Sequence, residues 1–403
     1  MLATRWSSRE YFRIDYLVVL ILWFLPLIPL HAIDYKNQDV IHQHHGDETT
    51  LPSDHATDLL LTIRNYNFVD NIEYFNKIME GETIFGLHFF PSISLQITPY
   101  IGLDIGLVWK KYFGQVKPWG GITPMLSTYY KNKCNAFVMG IFYLKDYQPT
   151  LIEPLWNFHN LLRRPFIEGI HFRVESDKTY LSGWLDWLTL LSKKKSRPET
   201  FTFHLDTGYQ FYHTQKIGLC TIFQLAIYHL GGQGIPIKDY SLFAGSGGLL
   251  FTFMPPNSFF EKITCAGYLL LNRYVKTVDR PSKGGYGQLY IFNCAMGWVE
   301  LSMSYWHGTN FSSENMGYPL YQSIRIENNT VTYYEPSREL LLVSLHKNWI
   351  PFPDITIEAA FRPYYDCKNQ LFEYGFSFGL SYSGNFRLTT LHYAANYGFL
   401  SRF

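Results

Sequence analysis

Titratable side chains recur on three consecutive stretches of alternating sequence. His171, Arg173 and Glu175 occupy every second position of the first, Asp186 lies in the second, and His204 and Asp206 lie in the third. Successive side chains of a strand point to opposite faces, so these groups share the face opposite the apolar one. On antiparallel neighbours they would stand about 5 Å apart and form one charged cluster. Three kinds of chemistry are open to such a cluster. Balanced charges can cross-brace a packed interior, where an unpaired charge would be costly. They can line a channel and select solutes by charge. His204 with an acid can serve as an acid/base pair in a hydrolase. For the last, no serine partner and no nucleophile elbow stands out, so no catalytic residue is assigned. A second inward set, Glu358, Arg362 and Glu373, lies towards the C-terminus, and bracing is its default role.

Other features that resemble sites are weaker. His42, His44 and His45 lie in a polar stretch where nothing fixes a metal geometry. The five cysteines (134, 220, 265, 294 and 367) include no CxxC and make a poor disulfide or zinc framework. His229 to Gly234 reads HLGGQG. It lacks the Lys-Ser/Thr of a phosphate loop, and no helical pattern follows it. Gly245, Gly247 and Gly248 suit a bent or closely approached strand. Lys193, Lys194, Lys195 and Arg197 form a basic run expected to be solvated. No metal and no cofactor is expected. A net charge of +1 gives no reason to expect a nucleic-acid partner.

The elements that must position these residues are strands. Apolar residues make up 47% of the chain, with no repeated run of the about 20 needed for a polytopic helical membrane protein. Aromatic residues reach 18%, as in barrels that carry them on the lipid face and in interfacial girdles. From residue 81 onward, alternating segments long enough to cross a bilayer at a tilt are separated by turn clusters. Strands are expected near 83–97, 100–112, 121–131, 134–144, 166–176, 179–191, 200–212 and 216–229. A second series lies near 241–254, 261–274, 286–296, 297–307, 338–348, 354–363, 370–382 and 386–403. Ser383-Gly384-Asn385 is taken as the last turn. The fold expected is all-β: a transmembrane antiparallel up-and-down barrel of about 14–16 strands. Residues 1–32, with Arg5, Arg9 and Arg13 before an apolar run, have the layout of a signal peptide. Residues 33–80 are assigned to a periplasmic segment or linker and 81–403 to the barrel. Segment 145–165 does not alternate and suits a short helix over the mouth or in the lumen.

The final stretch carries hydrophobic residues at alternate positions and ends on an aromatic: Tyr393, Tyr397, Phe399 and Phe403. It resembles the C-terminal assembly signal of bacterial outer-membrane barrels, although Ser401 departs from it. The resemblance implies recognition by the barrel-assembly machinery and residence in the cell outer membrane, among its lipids. Three stretches, LIEPLWNFHNLLRRPFIEGI, YLSGWLDWLTLL and FQLAIYHLGGQG, resemble uncharacterised outer-membrane barrels of Bacteroidota, which imply no activity. The chain is therefore expected to act as a porin-like transport channel, or as an accessory barrel of an envelope complex with a protein partner. The balance is against an enzyme. The alternative is a membrane-embedded lipid hydrolase that uses His and acid groups of the lumen or rim.

Overall fold

Alternation with period two makes each segment a strand with one apolar face and one small or polar face. The computed structural model describes residues 56–392 except 117–119, 148–149, 193, 195–196, 233–237, 257–258, 277–278 and 328. In chain order the strands are β1 (Ala56–Phe75), β2 (Glu80–Gln96), β3 (Ile101–Tyr112), β4 (Gly121–Lys131), β5 (Asn135–Tyr143) and β6 (Phe166–Glu175). Then follow β7 (Thr179–Thr189), β8 (Glu199–His213), β9 (Ile217–Gly231), β10 (Tyr240–Phe253), β11 (Phe260–Val275) and β12 (Gly284–Met296). The last are β13 (Val299–Thr309), β14 (Ile324–Glu327), β15 (Thr330–Tyr334), β16 (Ser337–Phe352), β17 (Ile355–Asp366) and β18 (Leu371–His392). All but β14 and β15 close into one antiparallel barrel of 16 strands, with β1 joining β18 to β2. Strands β14 and β15 form a separate hairpin.

Two boundaries differ from expectation and offset each other in the count. The barrel begins at β1 rather than at residue 81, so the described part of the N-terminal segment belongs to the wall. Residues 383–385 make no turn: Ser383, Gly384 and Asn385 pair in register with Arg64, Ile63 and Thr62 of β1. Thr62 donates to Asn385 Oδ1 at 2.8 Å. Pairing with β1 leaves these residues no freedom to reverse the chain. The expected signal peptide, the polar stretch after it and the four assembly-signal residues (Tyr393, Tyr397, Phe399 and Phe403) lie outside the described residues.

Phe376, Phe378 and Leu380 of β18 point outward and are exposed, while Gly375, Ser377 and Gly379 between them point in. Their small size has a use. A Cβ on Gly379 would stand 2.8 Å from the Tyr66 ring, which lies over it from β1. The other strands repeat this outward apolar belt, with Leu249, Leu269, Leu271 and Phe361 exposed. A closed ring satisfies its backbone internally, as hydrocarbon requires. One end carries short connections such as 176–178, 214–216 and 353–354, together with both described chain ends. The other carries the long segments 144–165 and 310–336. This is the layout of an outer-membrane barrel, with the long loops outside the cell, and the outer membrane is where this chain resides.

The long loops turn inward. Segment 144–165 holds a 3-10 turn (Leu144–Tyr147) and one helical turn, α1 (Asn160–Arg163). Its Leu144, Leu155 and Trp156 are buried, as are Phe311, Met316 and Leu320 of the other loop. Each such side chain contributes about 1.5–3 kcal/mol on leaving water. Backbone bonds lock the loops together, Asn157 N–H to Met316 O and Tyr318 N–H to Glu153 O, both at 2.8 Å. Behind them Arg338, buried, pairs with Glu335 at 2.6 Å and Asp366 at 3.4 Å. The outer half of the lumen is thus packed with protein.

Candidate functional site

The six inward groups on β6, β7 and β8 share the inner face, but none is another's register partner, and they do not form one cluster. The cause is the packing of loop 144–165 against the wall. Asp186 accepts from Arg164 of that loop at 3.0 Å and from the Glu168 backbone at 3.2 Å. Asp206 accepts from Tyr180 at 3.0 Å, from Gln224 at 3.1 Å, and from Thr150 of the loop. Arg173 pairs with Glu175 on its own strand. His171 Nε2 lies 3.3 Å from Ser182 Oγ, and its ring packs on Tyr147 of the loop at 4.3 Å. His204 is fully buried between Trp184 and Trp156, each ring centroid 4.7 Å away, and neither of its nitrogens has a partner among the described residues. Among the described residues no carboxylate bonds it, and Trp156 of the loop covers it from the lumen side.

The second set is split as well. Glu358 meets Tyr66 at 3.3 Å and Lys145 at 3.6 Å. Glu373 accepts from the Asn76 amide at 2.8 Å and from Tyr364. Arg362 crosses the small inner face of β18 and bonds Asp70 on β1. The other oxygen of Asp70 lies 2.8 Å from His159 Nδ1, beside α1. Sequence reasoning named Arg362 but neither of these partners, because α1 and β1 lie far apart in the chain.

The arrangement best suited to acyl chemistry is on the outside of the wall. His229 continues the outward phase of Phe223, Leu225 and Ile227 on β9. Its register partners are Phe201 on β8 and Ser241 on β10. His229 Nδ1 lies 2.9 Å from Ser241 Oγ. The ring packs against Phe201 at 4.9 Å, and Phe201 stacks on Trp187 at 5.4 Å. The far edge of the imidazole lies over Gly231, where a Cβ would stand 2.4 Å from Nε2. Glycine is thus required for the ring to take this position. Opposite Gly231 on β8 is Glu199, whose charge acts on the ring together with those of Asp239 and Lys276. Lys276 donates to Asp239 in the 232–239 connection and holds that carboxyl below its ordinary value.

A serine hydroxyl on an imidazole, with a carboxylate near the other ring edge, is the layout of an activated nucleophile. It sits at the long-loop end of the outward-facing surface of the barrel. A second outward imidazole, His307, lies opposite Glu339 on β16. Glu339 instead accepts from Tyr305 at 2.8 Å, and among the described residues no hydrogen bond joins it to His307. The signal for the outer pair was present in the sequence: His229 is a polar residue in phase with an apolar stripe, inside HLGGQG.

Among solved structures the chain is similar to the outer membrane protein OprD from Pseudomonas aeruginosa, at 11% identity and a TM-score of 0.47, covering 82% of this chain and 94% of that one. It is also similar to OccAB3 of Acinetobacter baumannii, at 11% identity and a TM-score of 0.45, covering 82% and 99%. A third is a loop-deleted OmpT of Vibrio cholerae, at 10% identity and a TM-score of 0.45, covering 82% and 100%. No curated protein matches the sequence. A sequence model of a protein family, described as lipid A 3'-O-deacylase-type, matches residues 51–391. That description is of an enzyme family, and it overturns the expectation that the balance is against an enzyme. The match spans the barrel, and the chain belongs to the lipid A 3'-O-deacylase-type family.

Proposed function

We propose that this barrel is an ester hydrolase that releases an acyl chain from lipid A in the outer leaflet, with Ser241 as nucleophile and His229 as general base. The observation that carries this is the 2.9 Å contact between His229 Nδ1 and Ser241 Oγ on the lipid-facing wall. Family membership supports the substrate class. A lipid diffusing in the leaflet meets this surface from the side and need not enter the lumen.

His229 takes the hydroxyl proton as Ser241 Oγ attacks the ester carbonyl carbon. The bond from that carbon to the sugar oxygen breaks, and the imidazolium returns the proton to the leaving sugar hydroxyl. The acyl group then sits on Ser241. Water attacks it, His229 accepting the proton, and the fatty acid departs with serine restored. Glu199 is the carboxylate placed to steady the charged imidazole. Trp187 and Phe201 flank the site with apolar surface suited to an acyl chain.

A passive channel and an accessory barrel are the competing readings. The packed loops at the outer end of the lumen count against an open channel. The experiment is incubation of the purified protein with lipid A in mixed micelles, with free fatty acid measured by mass spectrometry. Release by the wild type and none by Ser241→Ala is expected. Equal release by both, or none by either, would overturn the assignment.

A further inference from the structure

Every seam of the ring is paired, but two seams are zipped only part of the way. Strand β5 pairs with β4 from Ala136 to Gly140, so Gly121–Leu126 of β4 pair with β3 alone. Strand β6 pairs with β7 from Gly169 to Glu175, so Trp187 and Thr189 of β7 pair with β8 alone. Between these open stretches β5 and β6 stay paired with each other as far as Tyr143 and Phe166. The two strands therefore leave the wall as a unit. Gly140, at the last rung with β4, marks the departure. Its φ is +128°, and a Cβ there would stand 2.2 Å from the Leu126 carbonyl oxygen. Only glycine suits such an angle and so close an approach.

The departing ends turn into the lumen. Tyr143 is in phase with Phe137 and Met139, which face outward and are exposed. Yet its ring meets Phe90 at 5.2 Å and the Arg64 guanidinium at 5.7 Å. Arg64 and Phe90 are register partners on the inner face of β1 and β2. Phe166, in outward phase with Val174, meets Phe90 at 4.9 Å. Phe166 and Ile167 are both buried, whereas successive side chains of a wall strand point to opposite faces. At about 4.8 Å per strand, the pair vacates roughly 10 Å of wall between the outer parts of β4 and β7.

We propose that this recess holds an acyl chain of a membrane lipid. Its lining selects that occupant. Ile122 and Leu126 flank it on β4, Trp187 flanks it on β7, and Met139 stands at its foot, all facing out and exposed. Pro124 lies in the middle of the open β4 edge, and proline there discourages the pairing of an added protein strand. The head of the recess, at the long-loop end, is polar. Glu168, outward and exposed, pairs with Arg164 at 3.7 Å, and Arg164 pairs with Asp186 at 3.0 Å. Asp186 also accepts from the Glu168 backbone N–H at 3.2 Å, a group left without a strand partner on that side. A slot with apolar flanks and a charged head matches a lipid lying along it, chain between β4 and β7 and polar linkage towards Arg164. This occupancy goes beyond the hydrolase reading and does not depend on it.

The test is photolabelling of the purified full-length protein in vesicles of phosphatidylcholine and phosphatidylethanolamine, doped with a phosphatidylethanolamine whose acyl chain carries a diazirine. Labelled residues are mapped by mass spectrometry of peptides. Residues 121–126, 139–141 and 187 should take up about tenfold more label than the belt positions Leu249 and Leu269. Met139→Trp fills the foot of the recess and should lower labelling of 121–126 severalfold, with Leu249 and Leu269 unchanged. Ile122→Trp should do the same to labelling of 139–141, and it keeps the test valid if Met139→Trp fails to fold. Ser241→Ala should be labelled as the wild type is, which separates the recess from the proposed hydrolase. Equal labelling all round the belt, an unlabelled recess, or recess labelling indifferent to both tryptophan variants would overturn the inference.

Discussion

His204 and His229 lie on adjacent strands, β8 and β9, and face opposite sides of one wall. The inner imidazole is enclosed by Trp156 and Trp184, with both nitrogens unpartnered among the described residues. The outer one holds a serine hydroxyl at 2.9 Å and rests on a glycine that leaves it room. A buried polar group without a partner costs about 1–3 kcal/mol, so His204 is a burden on stability and has no access to substrate. His229 is half-buried, hydrogen-bonded and next to lipid. The difference between the two is strand parity combined with the position of loop 144–165, which closes the inner face and leaves the outer one open.

The largest effects should fall on the outer pair. Ser241→Ala and His229→Ala are each expected to lower fatty-acid release by about 10³-fold or more, with the double variant no worse than either single one. Multiplicative losses would show that the two residues do not act as a unit. Gly231→Ala is next. Its Cβ would displace the ring from Ser241, lowering release by about 10²-fold with little change in thermal stability. Unchanged release would mean that the ring position seen here is not the working one.

His204→Leu should leave release unaltered. It removes two unpartnered nitrogens while keeping apolar bulk, so stability should rise by about 1 kcal/mol, read from the temperature at which the folded gel band is lost. A loss of release would break the comparison, since it would give the inner histidine a role in the chemistry.

The smallest effect is expected at the Lys276–Asp239 pair near the outer site. Asp239 is held below its ordinary value of 3.8 by the hydrogen bond from Lys276. A carboxyl whose value is depressed on folding stabilises above its unfolded value, and the gain is lost as pH falls through the folded one. Lys276→Ala should therefore cost under about 1 kcal/mol at pH 7, given solvent screening, and nothing near pH 2. A difference that persists in acid would show that the lysine acts through something other than this carboxyl.

Much of the architecture was legible in the sequence, because alternation is local. A ring of about 14–16 strands, the outward aromatic face of β18 and the turn at 176–178 follow from residue types at adjacent positions. β1 was harder, since Asn65, Asn67 and Asn71 interrupt its outward face and blur the pattern. The Ser383-Gly384-Asn385 stretch has turn composition, and only pairing with β1 keeps it extended. The sites were less legible, because they depend on which strands are neighbours and on where loops fold. His171, Asp186 and Asp206 share an inner face as expected, yet Thr150, Trp156 and Arg164 from one loop separate them. Asp70, His159 and Arg362 come from a strand, a loop and another strand. His229 and Ser241 needed only their outward phase and a one-strand register. The small residues on the inner face of β18, Gly375 and Ser377 among them, also leave the room through which Arg362 reaches Asp70.

The central claim is that the outer wall at β9 and β10 cleaves an acyl ester. The most direct measurement is mass spectrometry of lipid A from outer membranes carrying either the wild-type barrel or Ser241→Ala at equal abundance. The account predicts lipid A short of one acyl chain with the wild type and intact lipid A with the variant. The same lipid A profile in both would contradict it.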